Sequence, residues 1–164
     1  MIHPGQEELN PEKAILSTKH PALLAKKCID GKDDGPDKLG TSVSDMCHSK
    51  GGEPTPWLAI DYGEDVRVSV GKTVIVNRKW CCADRTKNIE VRLSNELPED
   101  GKSMFTGGIL LGKFAGPGKK GERIEIESEE GPWEQYIGRY LIVQMDNGAQ
   151  PINLKEVTAF GKAY

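Results

Sequence analysis

Glycine and proline interrupt this chain too often for long helices. Nineteen glycines and ten prolines among 164 residues separate short apolar segments, and both residue types weaken or end helices. Trp57-Leu58-Ala59-Ile60-Asp61 alternates apolar and variable residues, and Tyr62-Gly63-Glu64-Asp65 reads as a turn. Val66-Arg67-Val68-Ser69-Val70 alternates at period two, Gly71-Lys72 reads as an interruption, and Thr73-Val74-Ile75-Val76-Asn77 resumes β-branched residues. Further strands are expected over 89–93, 108–114, 123–126, 139–145 and 154–160. Short strands spaced by turn signals predict an all-β sandwich. Residues 10–27 have helical character, with Ala and Leu interleaved with Lys, but His20-Pro21 cuts across it. A loop with a short helical turn is the better expectation there. Residues 30–40 and 116–121 read as surface loops, and residues 1–9 as an extended N-terminal segment.

Length suits one well-buried core, so 1–164 is read as a single domain. The formal net charge is −3 and the pI about 5.7, with basic residues scattered among acidic ones. That balance gives no electrostatic footprint for nucleic acid or an anionic membrane. There is no apolar run of membrane-spanning length, and Met1-Ile2-His3-Pro4 does not open a secretory signal peptide. His3 and His20 carry no readable chemistry. The run of residues 125–130, Glu-Ile-Glu-Ser-Glu-Glu, begins as a strand with a solvated face and ends as a charged turn. It offers no carboxylate pair at a defined separation, so a glycosidase is not expected and the chain is read as non-enzymatic.

The most specific chemistry lies in Arg78-Lys79-Trp80-Cys81-Cys82-Ala83-Asp84-Arg85. Oxidised, Cys81 and Cys82 would close a small ring with an apolar sulfur face. Reduced, they are two thiols at a strand edge or a metal pair, although no Cys-x-x-Cys or histidine cluster accompanies them. Arg78 and Arg85 flank that face with two permanent charges and a fixed fork of donors. An apolar floor between donors suits a ligand with one apolar side and several acceptor oxygens, such as a sugar. The bland readings are that the arginines pair Asp84 or backbone carbonyls and that Trp57 is core. Trp133, in Gly131-Pro132-Trp133, is expected to anchor a loop. A vicinal disulfide would point to an extracellular or secreted protein.

In order along the chain, Cys28-Ile29-Asp30-Gly31, Pro56-Trp57-Leu58-Ala59-Ile60-Asp61, Asn77-Arg78-x-x-Cys81-Cys82-x-x-Arg85, Ile137-Gly138-Arg139-Tyr140 and Leu154-x-Glu156-Val157 resemble the landmarks of the F-type lectins, or fucolectins. These are relatives of the discoidin (coagulation factor C-type), galactose-binding-like domains. The resemblance runs from about Cys28 to the C-terminus. It implies a jelly-roll β-sandwich of about eight main antiparallel strands and a site for L-fucose or a related glycan.

In the family, one His and two basic residues donate to the sugar, and Arg78 and Arg85 stand at the basic positions. Trp80 stands where the family has an Asp that orients the first Arg, and could stack on a sugar face. Counting without a gap from Pro56-Trp57, the family's His falls on Ser49, with His48 one residue early. In a strand, that one-residue slip would turn the ring to the opposite face. The resemblance also implies a structural calcium held by Asp30, Glu156 and the backbone carbonyls of Lys27, Met46 and Lys155. Asp33, Asp34 or Asp37 could add oxygens, or a nearby Lys could stand in for the cation. In many relatives Cys47 would pair with a Cys directly before the late Glu, where this chain has Lys155; Cys28 is the one unassigned partner, so a Cys28–Cys47 disulfide is expected, with free buried thiols as the alternative.

The expected function is a carbohydrate-binding module with a fucosylated or other glycan as partner, strengthened by homo-oligomerisation or attachment within a larger protein. The alternative is a protein-interaction or structural module on the same scaffold, with Trp80 as an interface anchor.

Overall fold

A computed structural model describes residues 6–18, 24–32, 46–129 and 131–164. Ten strands are present among these residues: β1 Glu7–Glu8, β2 Lys13–Leu16, β3 Cys47–His48, β4 Trp57–Asp61, β5 Val68–Asn77, β6 Ile89–Ser94, β7 Ile109–Phe114, β8 Arg123–Glu127, β9 Tyr140–Met145 and β10 Asn153–Ala163. Eight of them have four or more residues, as expected of the jelly roll. Two antiparallel five-stranded sheets form. One runs β1-β10-β5-β8, with β3 pairing the same edge of β10 as β1 further along, and the other runs β2-β4-β9-β6-β7. The inward faces of both sheets meet in one apolar core that includes Leu58, Ile60, Val70, Ile75, Val91, Ile124, Leu141, Val143 and Leu154. Trp57 joins a smaller cluster with Ala59 and Ile142 on the outer side of the second sheet, packed against Phe105 and Leu97.

The alternation in 66–77 yields one strand instead of two. Gly71 does not end β5 but marks a bulge in it: Lys72 faces Phe160 and Val70 faces Gly161, so the register with β10 shifts at Gly71, where a Cβ would lie 3.1 Å from the Trp133 ring. Trp133 is therefore the loop anchor expected of it. Lys72 stays in the sheet, almost buried, with its ammonium 5.2 Å from the Phe160 ring centre and 3.9 Å from Glu125. Residues 10–18 are also not the expected loop. Lys13–Leu16 pair with β4 as an edge strand, and among the described residues of this stretch helical character is confined to a 3-10 turn at Ala25–Cys28. The strand, Lys-Ala-Ile-Leu, is too short and too uniform to alternate, so only its pairing with β4 shows it. The loop at 116–121 is irregular, as expected. His3, His20, Asp33, Asp34 and Asp37 lie outside the described residues.

At one end of the sandwich Asp61, 1 % exposed, receives two hydrogen bonds from Arg139, Nε to Oδ1 at 2.9 Å and Nη2 to Oδ2 at 3.0 Å, and one from the Gly63 N–H at 2.9 Å. Burial pushes the Asp61 carboxyl up, but the Arg139 and Gly63 hydrogen bonds and the Arg139 and Lys13 charges outweigh it and hold the group below its usual value. A carboxyl held low stabilises the fold above its unfolded pKa, and that contribution is lost as pH falls through the folded value. Asp61→Asn is expected to cost about 3 kcal/mol at neutral pH, as breaking a largely buried pair does. In urea denaturation the gap to the parent should persist down to about pH 4 and close below it. A gap independent of pH would refute the assignment.

Candidate functional site

Strand β5 ends at Asn77, and from there the chain leaves the sheet to build the candidate site. Asn77 is fully buried. Its side-chain amide donates to the carbonyls of Ala83 at 2.9 Å and Lys119 at 3.0 Å, and its oxygen accepts from the Thr86 hydroxyl at 2.7 Å. Its own backbone N–H donates to Glu122. One side chain thus fixes both loops at this end, 78–88 and 116–121. Gly118 lies so close that a Cβ would come within 2.7 Å of the Asn77 amide nitrogen. Two backbone bonds complete the arrangement, Gly118 N–H to Thr86 O at 2.7 Å and Gly121 N–H to Arg78 O at 2.8 Å.

The next row of residues carries the chemistry. In the ladders His48 faces Asn153, and Leu154 faces Asn77. Continuing the second pairing by one residue brings Arg78 opposite Asn153. Directly opposed residues share a face, so His48 and Asn153 do, and Arg78, the first residue beyond β5, extends this row from the end of that strand. All three are buried. Arg85, half-buried on the following 3-10 turn, donates from Nη1 to Asn153 Oδ1 at 3.4 Å. Arg78 has no exposed surface; its Nη2 approaches Cys81 Sγ at 3.9 Å and its guanidinium lies 5.9 Å from the Trp80 ring centre. Arg78 Nε and Nη1 and Asn153 Nδ2 are buried and have no hydrogen-bond acceptor. Buried donors are almost always satisfied in folded proteins, so three such orphans together make this row the candidate site.

The structure separates the two candidates for the histidine position. His48 lies in the row with Asn153 and Arg78, and its Nδ1 sits 2.5 Å from the Ser49 carbonyl oxygen. Ser49 faces the other way and is occupied: its hydroxyl accepts from Ile152 N–H, and its own N–H donates to Ile152 O. Ser49 clamps β3 to β10 and is not available to a ligand. The vicinal disulfide is absent, since Cys81 and Cys82 are both free thiols. Adjacent Cα atoms sit about 3.8 Å apart across a trans peptide, short of the roughly 4.4–6.8 Å a disulfide usually spans. Here Cys82 instead takes a left-handed conformation, φ 70°, that starts the Ala83–Arg85 turn. The contact with Cys82 and burial push the Cys81 thiol above its ordinary value, against the pull of Arg78 and Arg85. The floor beside the arginines is therefore a pair of free thiols. Trp80, 39 % exposed, forms the outer wall. A cleft of about 520 Å³ opens beside Arg85, lined also by Cys82, Asp84, Lys87, Asn147 and Gln150.

A second group of residues meets where β10 passes the Cys28–Cys47 disulfide. That bond is present, with a Cα–Cα distance of 5.3 Å, and Cys28 Sγ approaches the Leu154 carbonyl at 3.5 Å. Lys27 and Met46 each precede a bonded cysteine, and Lys155 sits at a bulge in β10 just before Glu156. Glu156 accepts from the Gly31 N–H at 3.1 Å through Oε2, while its Oε1 is buried without a partner. Burial, with the like charge of Asp30, pushes the Glu156 carboxyl up to about 8, and the Gly31 N–H opposes this only in part. A buried carboxylate oxygen with no donor, facing another carboxylate, fits a cation. Among the described residues no three His, Cys, Asp or Glu gather into a metal cluster, so backbone carbonyls would have to complete any such shell.

Sequence reading missed Asn77, Asn147 and Asn153. Asparagine at a strand end is a usable signal, because its short amide bonds nearby backbone, but only the fold shows that these three converge.

Residues 27–107 match a family model described as a NedA-like, galactose-binding domain. No curated protein matches the chain by sequence. The serum F-lectin (fucolectin) of striped bass, Morone saxatilis, superposes with a TM-score of 0.75 at 24% identity over 94% of this chain and 49% of the lectin. The chain thus spans about half the length of that lectin. A fucose-binding module of Streptococcus pneumoniae superposes at 0.68, with 18% identity over 99% of this chain and 100% of the module. A family 32 carbohydrate-binding module from C. perfringens NanJ, solved with galactose, superposes at 0.67, with 11% identity over 94% and 98% of the two chains. The fold is the galactose-binding-like β-sandwich that these proteins share.

Removing the Asn77 amide leaves two carbonyls and a hydroxyl without their partner. Asn77→Ala is expected to lower stability by about 2–3 kcal/mol. In hydrogen exchange the amides of Gly118 and Gly121 should lose protection while those of β6 and β9 keep theirs. Equal loss throughout the chain would mean that Asn77 does not act locally.

Proposed function

Starting from a chain with the galactose-binding-like fold of F-type lectins and discoidin-type modules, we propose that it is a non-catalytic glycan-binding module. Its site is the row His48, Asn153 and Arg78 with Arg85, floored by Cys81 and Cys82 and walled by Trp80. The observation that carries this reading is the trio of buried donors without acceptors in that row. A polyol or its ring oxygen supplies acceptors, and an aromatic wall covers the sugar's C–H face. Recognition is preorganised, because Asn77 holds the loops and the sheet holds the row before any ligand arrives. Fucose or a related sugar fits this reading, since several proteins of the same fold are described as fucose-binding. One such site is weak alone, so the protein would work as an oligomer or as part of a larger assembly, in an extracellular setting that preserves the Cys28–Cys47 bond.

The proposal includes a structural calcium. Asp30, Glu156 and the carbonyls of Lys27, Met46 and Lys155 would hold it, and its charge would compensate two carboxylates that otherwise repel. Calcium at a hundredfold excess over its dissociation constant should stabilise the fold by about 2.7 kcal/mol, read as a rise in melting temperature. Glu156→Gln should abolish the rise. A melting temperature indifferent to calcium would remove the ion from this account.

Binding is tested on a glycan array with and without calcium, comparing the parent with His48→Ala and Arg85→Gln. Each variant is expected to lose roughly tenfold or more in affinity, the effect of removing one buried donor, while its melting temperature stays near the parent's. Undiminished binding in both variants would move the site elsewhere. Failure of the parent to bind any glycan, together with capture of a defined protein partner, would support the interaction-module reading.

A further inference from the structure

We propose that the glycan is anionic and presents a carboxylate or a sulfate ester to Arg78. This inference rests on the glycan-binding reading above. The first argument is the kind of group left unfilled. Arg78 Nε, Arg78 Nη1 and Asn153 Nδ2 are all donors. The Asn153 oxygen is already turned to Arg85, so the amide end left over is the nitrogen. Sugar hydroxyls bring a donor with every acceptor, whereas a carboxylate or sulfate is acceptor-only and matches a guanidinium edge two bonds at a time.

The second argument is charge. Among the described residues no carboxylate lies within ion-pair distance of Arg78 or Arg85. What touches Arg78 is a thiol at 3.9 Å and the face of Trp80 at 5.9 Å, and neither neutralises it. A buried cation without a counter-charge is costly; a neutral sugar supplies acceptors and leaves that charge standing, while an anion removes it. Around the row the bias extends outward. The chain as a whole carries −3, yet residues 78–87 and 116–122 hold Arg78, Lys79, Arg85, Lys87, Lys119 and Lys120 against Asp84 and Glu122. Both segments are tied to the row, through Gly121 N–H to Arg78 O and Asn77 to Lys119 O. Six basic residues on one end of an acidic protein concentrate a positive field where the ligand enters.

The geometry also orients the ligand. Asn147 lines the cleft beside Arg85, and its Oδ1 is a buried acceptor without a donor. A hydroxyl suits it, so the neutral part of the sugar lies toward Asn147 and Gln150 and the anionic group toward Arg78. The Trp80 ring centre lies 5.9 Å from the Arg78 guanidinium, so an anion held by Arg78 would sit beside the indole.

The test is calorimetric titration of the intact chain, with calcium present, against matched pairs: methyl glucuronide and methyl glucoside, galactose 6-sulfate and galactose, sialyllactose and lactose. The anionic member of at least one pair should bind roughly tenfold or more tighter, with the advantage shrinking as salt rises from 50 to 500 mM. A preference confined to carboxylates or to sulfates identifies which anion the site takes. Arg78→Gln should erase the preference without lowering the melting temperature, since it removes an unpaired buried charge. Should that variant fold poorly, Lys87→Gln combined with Lys119→Gln should at least halve the preference. Tryptophan fluorescence should change on binding in the parent and not in Trp80→Phe. Equal affinity for neutral and anionic members would overturn this inference and leave the glycan-binding proposal standing. Anion preference unchanged in Arg78→Gln with the lysine pair also replaced would overturn it as well. Absence of binding to every sugar, neutral or charged, would sink the glycan-binding proposal and this inference with it.

Discussion

The end of the sandwich that carries the site depends on one amide. Asn77 stands where β5 leaves the sheet, and its side chain bonds two carbonyls and a hydroxyl from segments 6, 9 and 42 residues away in sequence. Without those bonds the 78–88 and 116–121 loops would each have to satisfy their own backbone groups, which loops do mostly by exposing them to water. With them, the loops close over Arg78 and hold it where water cannot reach. A guanidinium becomes selective in this way. Donors that water cannot satisfy discriminate strongly between a ligand that fits and one that does not.

Two other polar clusters show the same economy in different forms. Asp61 and Arg139 satisfy each other completely and give the fold a closed ion pair. Glu156 and Asp30 bring like charges together and leave an oxygen unfilled; Arg78 and Asn153 do so with donors. The first cluster is a finished structural element. The other two leave buried polar atoms without partners among the described residues, the Glu156 oxygen in one and the Arg78 and Asn153 donors in the other, and both lie on elements tied to β10. That long strand carries Asn153 at one site and Glu156 at the other, so the state of one is three residues from the other.

Much of this was legible in the sequence. The period-two segments gave β4, β6, β7, β8 and β9 within a residue or two, because half-buried strands need that alternation. Gly71 marked a bulge and not a strand end: a glycine inside a strand can mean either, and only the ladder with β10, which resumes on both sides, decides. Strand β2 is four residues with no alternation of its own and shows only through its pairing with β4. The motif bracketed by Arg78 and Arg85 pointed to the loop of the proposed site, but its cysteines suggested a bond that the turn at Cys82 does not form. His48 was ambiguous by one residue, and in a strand one residue sets the face; the pairing places His48 opposite Asn153 and leaves Ser49 bonded to Ile152. Asn77 and Asn153 were invisible as neighbours, since nothing in one sequence says that β5 and β10 pair with Asn77 opposite Leu154.

Asn77 grips its loops almost wholly through main-chain carbonyls, those of Ala83 and Lys119, which any residue at those positions would present. Side chains at 80, 84, 87 and 120 take no part in the grip. Such a mount is indifferent to what it carries. Substitutions at the tips can exchange one ligand chemistry for another while the scaffold beneath goes on folding as before. Selection could therefore explore new specificities on this end of the sandwich through single replacements, with little destabilisation to compensate elsewhere.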